Sequence, residues 1–381
     1  MKDSLIPRLV FRFFFKFDFV LVAVTLLLLG VSLLTLYSLS VASGVDYFLK
    51  QTVFAIFGLV SMFLVGFLDY RHIQKYSTAL YFLTIFILSL VLLFGTTVRG
   101  TAGWLSFGVF QIQPVEIAKV TLIIFLASFI SKKKSELGEW ARVIASLVLS
   151  AVLIFLVLKQ PDLGSSLVLV AIWIGMILAS GLRMKHLLVL SLLGATLLFG
   201  SWFTLEGYQK DRIDTFIHPE SDPRGSGYNV LQAIVAVGSG GISGKGIGHG
   251  SQSQLNFLPE KHTDFIFSVV AEELGLIGAF FVMSLYLTLL YRVKRIGDTA
   301  SDNFGYLVAV GTLVMFFSQI AINIGMNIGL LPVTGLPAPL LSYGGSSLLS
   351  TLFSIGLLLN IYHRKKGNED FRISLERGVI D

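Results

Sequence analysis

Three clusters of ionisable residues interrupt otherwise apolar sequence, and chemistry would be concentrated there. The first is Pro114-Val115-Glu116-Ile117-Ala118-Lys119 at the head of an apolar stretch. Proline suits the first turn of a helix. Glu116 and Lys119, three apart, then share one helical face. The spacing leaves two readings open: a mutually neutralised structural ion pair, or a pair that positions or tunes a catalytic group. The second cluster, His262-Thr263-Asp264-Phe265-Ile266-Phe267, runs on to Glu272-Glu273. Asp264, Ser268, Glu272 and Gly275 are expected on one helical face, with Glu272 about 12 Å further along the axis than Asp264. Asp264 is either an N-cap favoured by the helix dipole or a reactive carboxylate at a rim. Glu272 is either a buried packing group with a partner or part of a path. The third cluster, Gln160-Pro161-Asp162-Leu163-Gly164, supplies another carboxylate. Asp162 either caps the next helix or faces a common cavity with Asp264. Two carboxylates with further oxygen ligands would suit Mg²⁺ or Mn²⁺.

The run Gly238-Ser239-Gly240-Gly241-Ile242-Ser243-Gly244-Lys245-Gly246 resembles a phosphate loop only superficially, because Ser239 and Gly246 stand where a Walker A motif needs Gly and Ser or Thr. It reads as a flexible hairpin, or as backbone N–H groups and Lys245 cradling a lipid phosphate. There is no HExxH, no nucleophile elbow and no cysteine, so metal chemistry through sulfur and disulfide frameworks are excluded.

The elements that position these residues follow from composition. Of 381 residues, 54% are hydrophobic and 14% charged, against about 25% charged in an average soluble domain. That much apolar surface requires lipid as its solvent, and the 32 phenylalanines suit a lipid-facing surface. Runs of about 20 apolar residues mark spanning helices at roughly 19–41, 48–69, 77–96, 115–131, 141–158, 165–182, 186–205, 265–290, 305–328 and 343–362. The first run is too long for a cleavable signal peptide, and Lys2, Arg8, Arg12 and Lys16 before it form a basic interfacial anchor. The expected fold is an all-α polytopic bundle of about ten transmembrane helices forming one domain over 1–381.

Orientation follows from the basic residues. Arg71, Lys75, Lys132, Lys133, Lys134, Arg142, Arg183, Lys185, Arg292, Lys294, Arg295 and the tail 363–381 fall on the same side as the N-terminus. The positive-inside rule puts that side, with both termini, in the cytoplasm. The long loop 206–263 is then extracellular. Its aromatic residues and the apolar stretch around Val230–Val237 read as structure rather than disorder. The outer loop 97–114, with Trp104, Phe107 and Phe110, also reads as structured.

Several of these stretches together resemble the SEDS family (shape, elongation, division and sporulation). Leu258-Pro259-Glu260-Lys261-His262-Thr263-Asp264-Phe265-Ile266-Phe267 followed by Ala271-Glu272-Glu273-Leu274-Gly275 is similar to its signature. Gln113-Pro114-Val115-Glu116-Ile117-Ala118-Lys119 is similar to its QPxExxK element, Gln160-Pro161-Asp162-Leu163-Gly164 to QPDLG, and Ser342-Tyr343-Gly344-Gly345-Ser346-Ser347 to SYGGSS. Order and spacing agree over nearly the whole chain. The Gly240–Gly246 run with Gln252-Ser253-Gln254-Leu255, and Leu331–Pro337, look like the elongation branch rather than the division branch. Gly103 departs from the pattern, since relatives often carry a basic residue before the tryptophan at 104.

The resemblance implies a glycosyltransferase of the bacterial inner membrane that polymerises lipid II, the undecaprenyl-pyrophosphate disaccharide-peptide, into a growing glycan strand. It implies Asp264 as general base, with Glu116 and Lys119 tuning the site. Positive charge for the pyrophosphate would come from Lys119, Arg99, Lys245, Arg212 or a divalent ion. Asp162, Glu260, His262 and Ser342, on matching motifs, would contact substrate. Expected partners are a class B penicillin-binding protein, other membrane proteins of the elongation complex and membrane lipid; neither an organic cofactor nor nucleic acid is expected. Two other readings stay open from the sequence: a lipid II flippase, which needs polar groups along its whole path, and a non-catalytic scaffold for a transpeptidase.

Overall fold

The computed structural model describes residues 17–98, 101–107, 110–132, 139–181, 214–221, 225–255 and 257–378. The anticipated interfacial anchor before residue 17, the span 186–205, Arg99 and Arg212 lie outside the described residues. Eight described helices are long and apolar enough to cross a membrane. They are α1 (Phe19–Ser43), α2 (Tyr47–Phe67), α3 (Tyr70–Phe94), α4 (Pro114–Ser131), α5 (Glu139–Leu158), α9 (Ile266–Asp298), α10 (Asn303–Asn327) and α11 (Gly345–Gly378). The shorter apolar α6 (Leu163–Ala179) packs among them. In the loops lie α7 (Ser226–Ser239) and α8 (Ser251–Gln254). The chain is a multi-pass membrane protein.

Helix starts follow local chemistry. Asp18, Asp69, Asp162 and Asp302 each accept a main-chain N–H in the first turn of the helix that follows them, the usual work of an aspartate N-cap. Pro114 opens α4, where a missing N–H costs nothing. Every residue of α4 from Ala118 to Ser128 is buried, as expected of a helix apolar all round. It is the axis of the bundle, packed by α3, α5, α6 and α10. Exposed Phe57, Phe82, Phe86, Phe155 and Phe280 point outward, where lipid takes the place of a protein core.

Ionic and hydrogen-bonded links tie one end of the bundle. Arg292 of α9 pairs with Asp18 at the head of α1, Tyr70 donates to Asp302 at 2.6 Å, and Arg364 reaches Asp69 at 3.0 Å. The opposite end carries a sheet absent from the helical expectation. Strands β1 (Thr96–Val98), β2 (Thr101–Phe107) and β3 (Phe110–Ile112) pair antiparallel in the order β1-β2-β3, with Thr96 opposite Trp104 and Leu105 opposite Ile112.

Helix α9 is broken at Gly275 (φ 69°, ψ −165°), a conformation open in practice to glycine alone. The continuous face expected from Asp264 to Gly275 therefore ends at the break. A break inside a bilayer frees backbone groups that lipid cannot satisfy. The glycine run satisfies them: Leu276 and Ile277 donate to the carbonyls of Gly241 and Ile242 at 2.9 and 3.2 Å, and the amides of Lys245 and Gly246 donate to those of Glu272 and Glu273, each at 3.0 Å. A Cβ at Gly240 would sit 2.0 Å from the Ala271 oxygen, which explains the glycine there. The run is thus not a hairpin standing free; two of its N–H groups, those of Lys245 and Gly246, are committed to α9.

Candidate active site

At the end of the bundle bearing the sheet, the starts of α4, α6, α9 and α11 converge with the loop that follows α10. They enclose a cavity of about 150 Å³ whose lining includes Trp104, Gln113, Asp162, Asp264, Tyr343 and Ser346. Asp162 and Asp264 therefore do face a common space. Asp162 serves both readings the sequence left open. Its Oδ1 accepts the Ser165 amide at 2.9 Å as the cap of α6, while Oδ2 faces Gln113 Nε2 at 3.5 Å. Burial pushes its carboxyl up from the ordinary range, opposed by the Ser165 hydrogen bonds and by the charge of Lys119.

Asp264 precedes α9 without capping it: the N-cap is Phe265, whose side chain offers no hydrogen bond. Its side chain is half-buried and turned toward Gly335, where a Cβ would lie 3.7 Å from Asp264 Oδ2. Below the cavity, Lys119 Nζ lies 2.8 Å from Glu116 Oε1, and Ser350 Oγ donates to Glu116 Oε2 at 3.2 Å. Glu116 and Lys119 are 2% and 0% exposed, so this pair is fully desolvated. It does not line the cavity, and its field reaches the cavity through Asp162.

The other anticipated contact residues take different places. Ser342 is buried, donating to the Thr263 carbonyl at 2.6 Å and accepting the Ala338 amide at 2.8 Å. His262 stacks on Tyr47 with ring centroids 4.3 Å apart and leans on Tyr343. Glu260 lies in the turn before Asp264, within 3.3 Å of the Thr263 hydroxyl. Lys245 Nζ is 2.9 Å from Glu272 Oε1 and 2.9 Å from Ser251 Oγ; it is not among the residues around the cavity.

Glu272 and Glu273 fasten the loop that carries Lys245 and α8. Glu272 accepts Lys245 Nζ and the Gln252 amide on one oxygen and the Ser253 amide on the other, each at 2.9 Å. Glu273 accepts Ser38 Oγ at 2.6 Å and Gln254 Nε2 at 2.7 Å. Lys261, buried beside them, donates to the Ser253 carbonyl. Burial lowers its ammonium below the ordinary lysine range, against the opposing pull of the two glutamates.

Trp104, Gln113 and Tyr343, which stand in the sequence motifs without an assigned role, form part of the cavity wall, and Asn323 and Asn327, which no motif marks, lie behind it. The two asparagines donate to the main-chain carbonyl of Asp264 at 3.0 and 2.9 Å. Their only sequence signal is two amides one helical turn apart near the end of an apolar run. Next to the cavity and sharing Ser346 with it is a larger, almost wholly apolar groove of about 520 Å³, walled by α2, α3, α4 and α11 through Phe54, Leu80, Ile117, Ile124, Leu349 and Phe353.

No group of three or more His, Cys, Asp or Glu side chains able to hold a metal ion occurs among the described residues. The cavity's donors are carboxylate, amide and hydroxyl oxygens, the chemistry a hard divalent cation prefers. Two carboxylates are too few to complete a shell, so such an ion would need substrate oxygens and water.

Residues 18–367 match the family of cell cycle proteins FtsW, RodA and SpoVE. The chain is 40% identical to stage V sporulation protein E of Bacillus subtilis over 357 residues, covering 90% of this chain and 96% of that one. It is 39% identical to the peptidoglycan glycosyltransferase MrdB of Escherichia coli K12 over 347 residues, 90% and 94% of the two chains. Among solved structures, a chain of a peptidoglycan synthase complex that coordinates polymerization and crosslinking superposes with a TM-score of 0.79 at 30% identity, covering 92% of this chain and 98% of that one. The rod shape determining protein RodA of Thermus thermophilus superposes with a TM-score of 0.68 at 28% identity, covering 92% and 97%.

Proposed function

The chain belongs to the FtsW/RodA/SpoVE family of cell cycle proteins, and from that premise we propose that it is a peptidoglycan glycosyltransferase that polymerises lipid II at the outer face of the cytoplasmic membrane during cell elongation. One observation carries the mechanism: a small polar cavity bearing Asp264 and Asp162 adjoins an apolar groove and shares Ser346 with it. A lipid-linked sugar needs both. The groove accepts a polyprenyl tail from the bilayer side, and the cavity receives the headgroup.

In the cavity Asp264 is the general base. An acceptor sugar hydroxyl attacks the donor anomeric carbon as its proton passes to the Asp264 carboxylate. The new C–O bond forms on the face opposite the departing oxygen, so the centre inverts. The bond to undecaprenyl pyrophosphate breaks, and that leaving group departs as a stabilised anion, so no second carboxylic acid is required. A divalent cation, bound by Asp162 and Asp264 together with substrate oxygens, would supply positive charge for the pyrophosphate. Lys119, held by Glu116, biases Asp162 toward its ionised form and so sets the charge of the cavity wall. The excess of basic residues at the opposite end supports cytoplasmic termini and an extracellular loop 206–263. The likeness to a chain of a synthase complex supports a class B penicillin-binding protein as the transpeptidase partner.

The flippase reading needs polar groups spread along a path through the bilayer. Glu272 and Glu273, the deep carboxylates that would serve it, are instead saturated by loop amides, hydroxyls and Lys245. The scaffold reading gives no reason to bury the Glu116–Lys119 pair, which is expensive without a function. Purified full-length protein with Asp264→Asn is expected to form no glycan chains from lipid II under conditions where the wild type does. Polymerisation at the wild-type rate by Asp264→Asn would overturn the assignment of the base.

A further inference from the structure

The segment that carries Asp264 is held by its backbone. Three consecutive carbonyls are each bound from outside the segment. His262 O accepts the Tyr343 amide at 2.9 Å, Thr263 O accepts Ser342 Oγ at 2.6 Å, and Asp264 O accepts both Asn323 Nδ2 at 3.0 Å and Asn327 Nδ2 at 2.9 Å. Tyr343 and Ser342 come from the loop before α11, and the asparagines from the last turns of α10.

The two amides are used to capacity. Asn323 Nδ2 has two hydrogens and two partners, Asp264 O and Leu336 O at 2.8 Å. Asp264 and Gly335, the neighbour of Leu336, both line the cavity, so this one side chain ties the two lining segments together from behind. Asn327 Oδ1 accepts the Ser268 amide at 3.0 Å and Ser268 Oγ at 2.6 Å. That acceptance fixes which way the amide faces and turns its Nδ2 toward Asp264 O. It also gives α9, which starts without a side-chain cap of its own, an N-cap supplied from another helix. Both asparagines are 0% exposed, so losing Asn323 takes the donor from the buried Leu336 carbonyl, and losing Asn327 takes the acceptor from the buried Ser268 amide.

We propose that Asn323 and Asn327 are positioning residues for the transferase reaction, fixing the main chain of Asp264 so that its carboxylate meets the acceptor hydroxyl. The inference rests on Asp264 being the base. The distinction from a purely structural role has a built-in control. Asn360 of α11 is buried in the same way, its Nδ2 shared among the carbonyls of Val65, Gly66 and Leu68. Those carbonyls lie at the far end of the bundle.

The experiment compares Asn323→Ser, Asn327→Ser and Asn360→Ser in purified full-length protein, with kcat and KM for lipid II determined per folded molecule and Tm recorded for each. Serine replaces the carboxamide with a hydroxyl of shorter reach and leaves a smaller void than a full truncation would in a larger side chain. Displacement of a reacting group by a fraction of an ångström to 1 Å is expected to lower kcat about tenfold or more in the Asn323 and Asn327 variants while KM stays within about threefold. Asn360→Ser is expected to lower Tm comparably and to leave kcat of the folded fraction within about twofold. If the Asn323 and Asn327 variants lose only folded yield and keep wild-type kcat, as Asn360→Ser does, the inference falls. Asp264→Asn is run beside them. Its activity at the wild-type rate would remove the base assignment itself, whereas an inactive Asp264→Asn with fully active asparagine variants would remove only the positioning role.

Discussion

Lys245 Nζ and Glu272 Oε1 lie 2.9 Å apart, joining the glycine-rich loop to the segment of α9 just before its break. Glu272 is 0% exposed and Lys245 only 28%. The pair is therefore well shielded, and two loop amides complete the carboxylate's hydrogen bonding. Replacing Glu272 by Ala takes the acceptor from the Gln252 and Ser253 amides and leaves the Lys245 ammonium with Ser251 Oγ but no counter-charge. The expected cost is about 2–4 kcal/mol, between the loss of a buried hydrogen-bonded partner and that of a buried ion pair. Limited proteolysis of the loop 226–255 should accelerate in parallel with a lower Tm. A loop as resistant as that of the wild type would show that the backbone bonds to α9 hold it alone.

Glu116 and Lys119 permit a second test, because a buried pair behaves differently when one partner or both are removed. Glu116→Gln leaves the Lys119 charge buried beside a neutral amide, and a loss of about 3–5 kcal/mol of stability is expected. Glu116→Gln combined with Lys119→Met removes both charges, and stability should return to near the wild-type value. Activity should not return with it, because the positive charge that biases Asp162 is gone. Thermal unfolding and lipid II polymerisation measured on the same preparations separate the two effects. Recovery of both together would make the pair structural only.

The spans were legible because the bilayer demands long apolar runs that leave a signature no other element shares. For the described spans boundaries agree to within several residues, except that α9 extends to Asp298 and α11 to Gly378. The break at Gly275 was not legible. Glycine is common in membrane helices, and only the arrival of the loop backbone distinguishes this one. The sheet 96–112 escaped because β1 and β3 have only three residues each and β2 sets Trp104 and Leu105 side by side, so no period-two pattern registers. A common cavity for Asp162 and Asp264 was one of the two sequence readings of Asp162, open because both precede helices at the same end of the bundle. Asn323 and Asn327 were not found. Their partners lie 59 and 63 residues away, and an amide in a spanning helix announces only that some partner exists.

Asp162 carries the last prediction, and its sign follows from burial. The folded-state pKa is raised above the unfolded value, mainly by desolvation. For a carboxyl shifted this way the folded state binds the proton more tightly than the unfolded chain does. Its contribution to stability is therefore greatest below the unfolded pKa and falls as pH rises through the folded one. Asp162→Asn keeps the cap, because an asparagine oxygen accepts the Ser165 amide as well as an aspartate does, and it removes the titration. The Tm difference, wild type minus Asp162→Asn, should therefore increase as pH is lowered from neutrality into the acidic range. Taking a difference cancels the acid sensitivity of every other carboxylate common to the two proteins. Polymerisation by Asp162→Asn should be strongly reduced at neutral pH, where its Tm is at least that of the wild type, because the cavity loses a carboxyl group while the cap of α6 is kept. A Tm difference that decreases toward acid would mean that the hydrogen bonds from Ser165 and the attraction of Lys119 outweigh desolvation, and that Asp162 is held as an anion throughout.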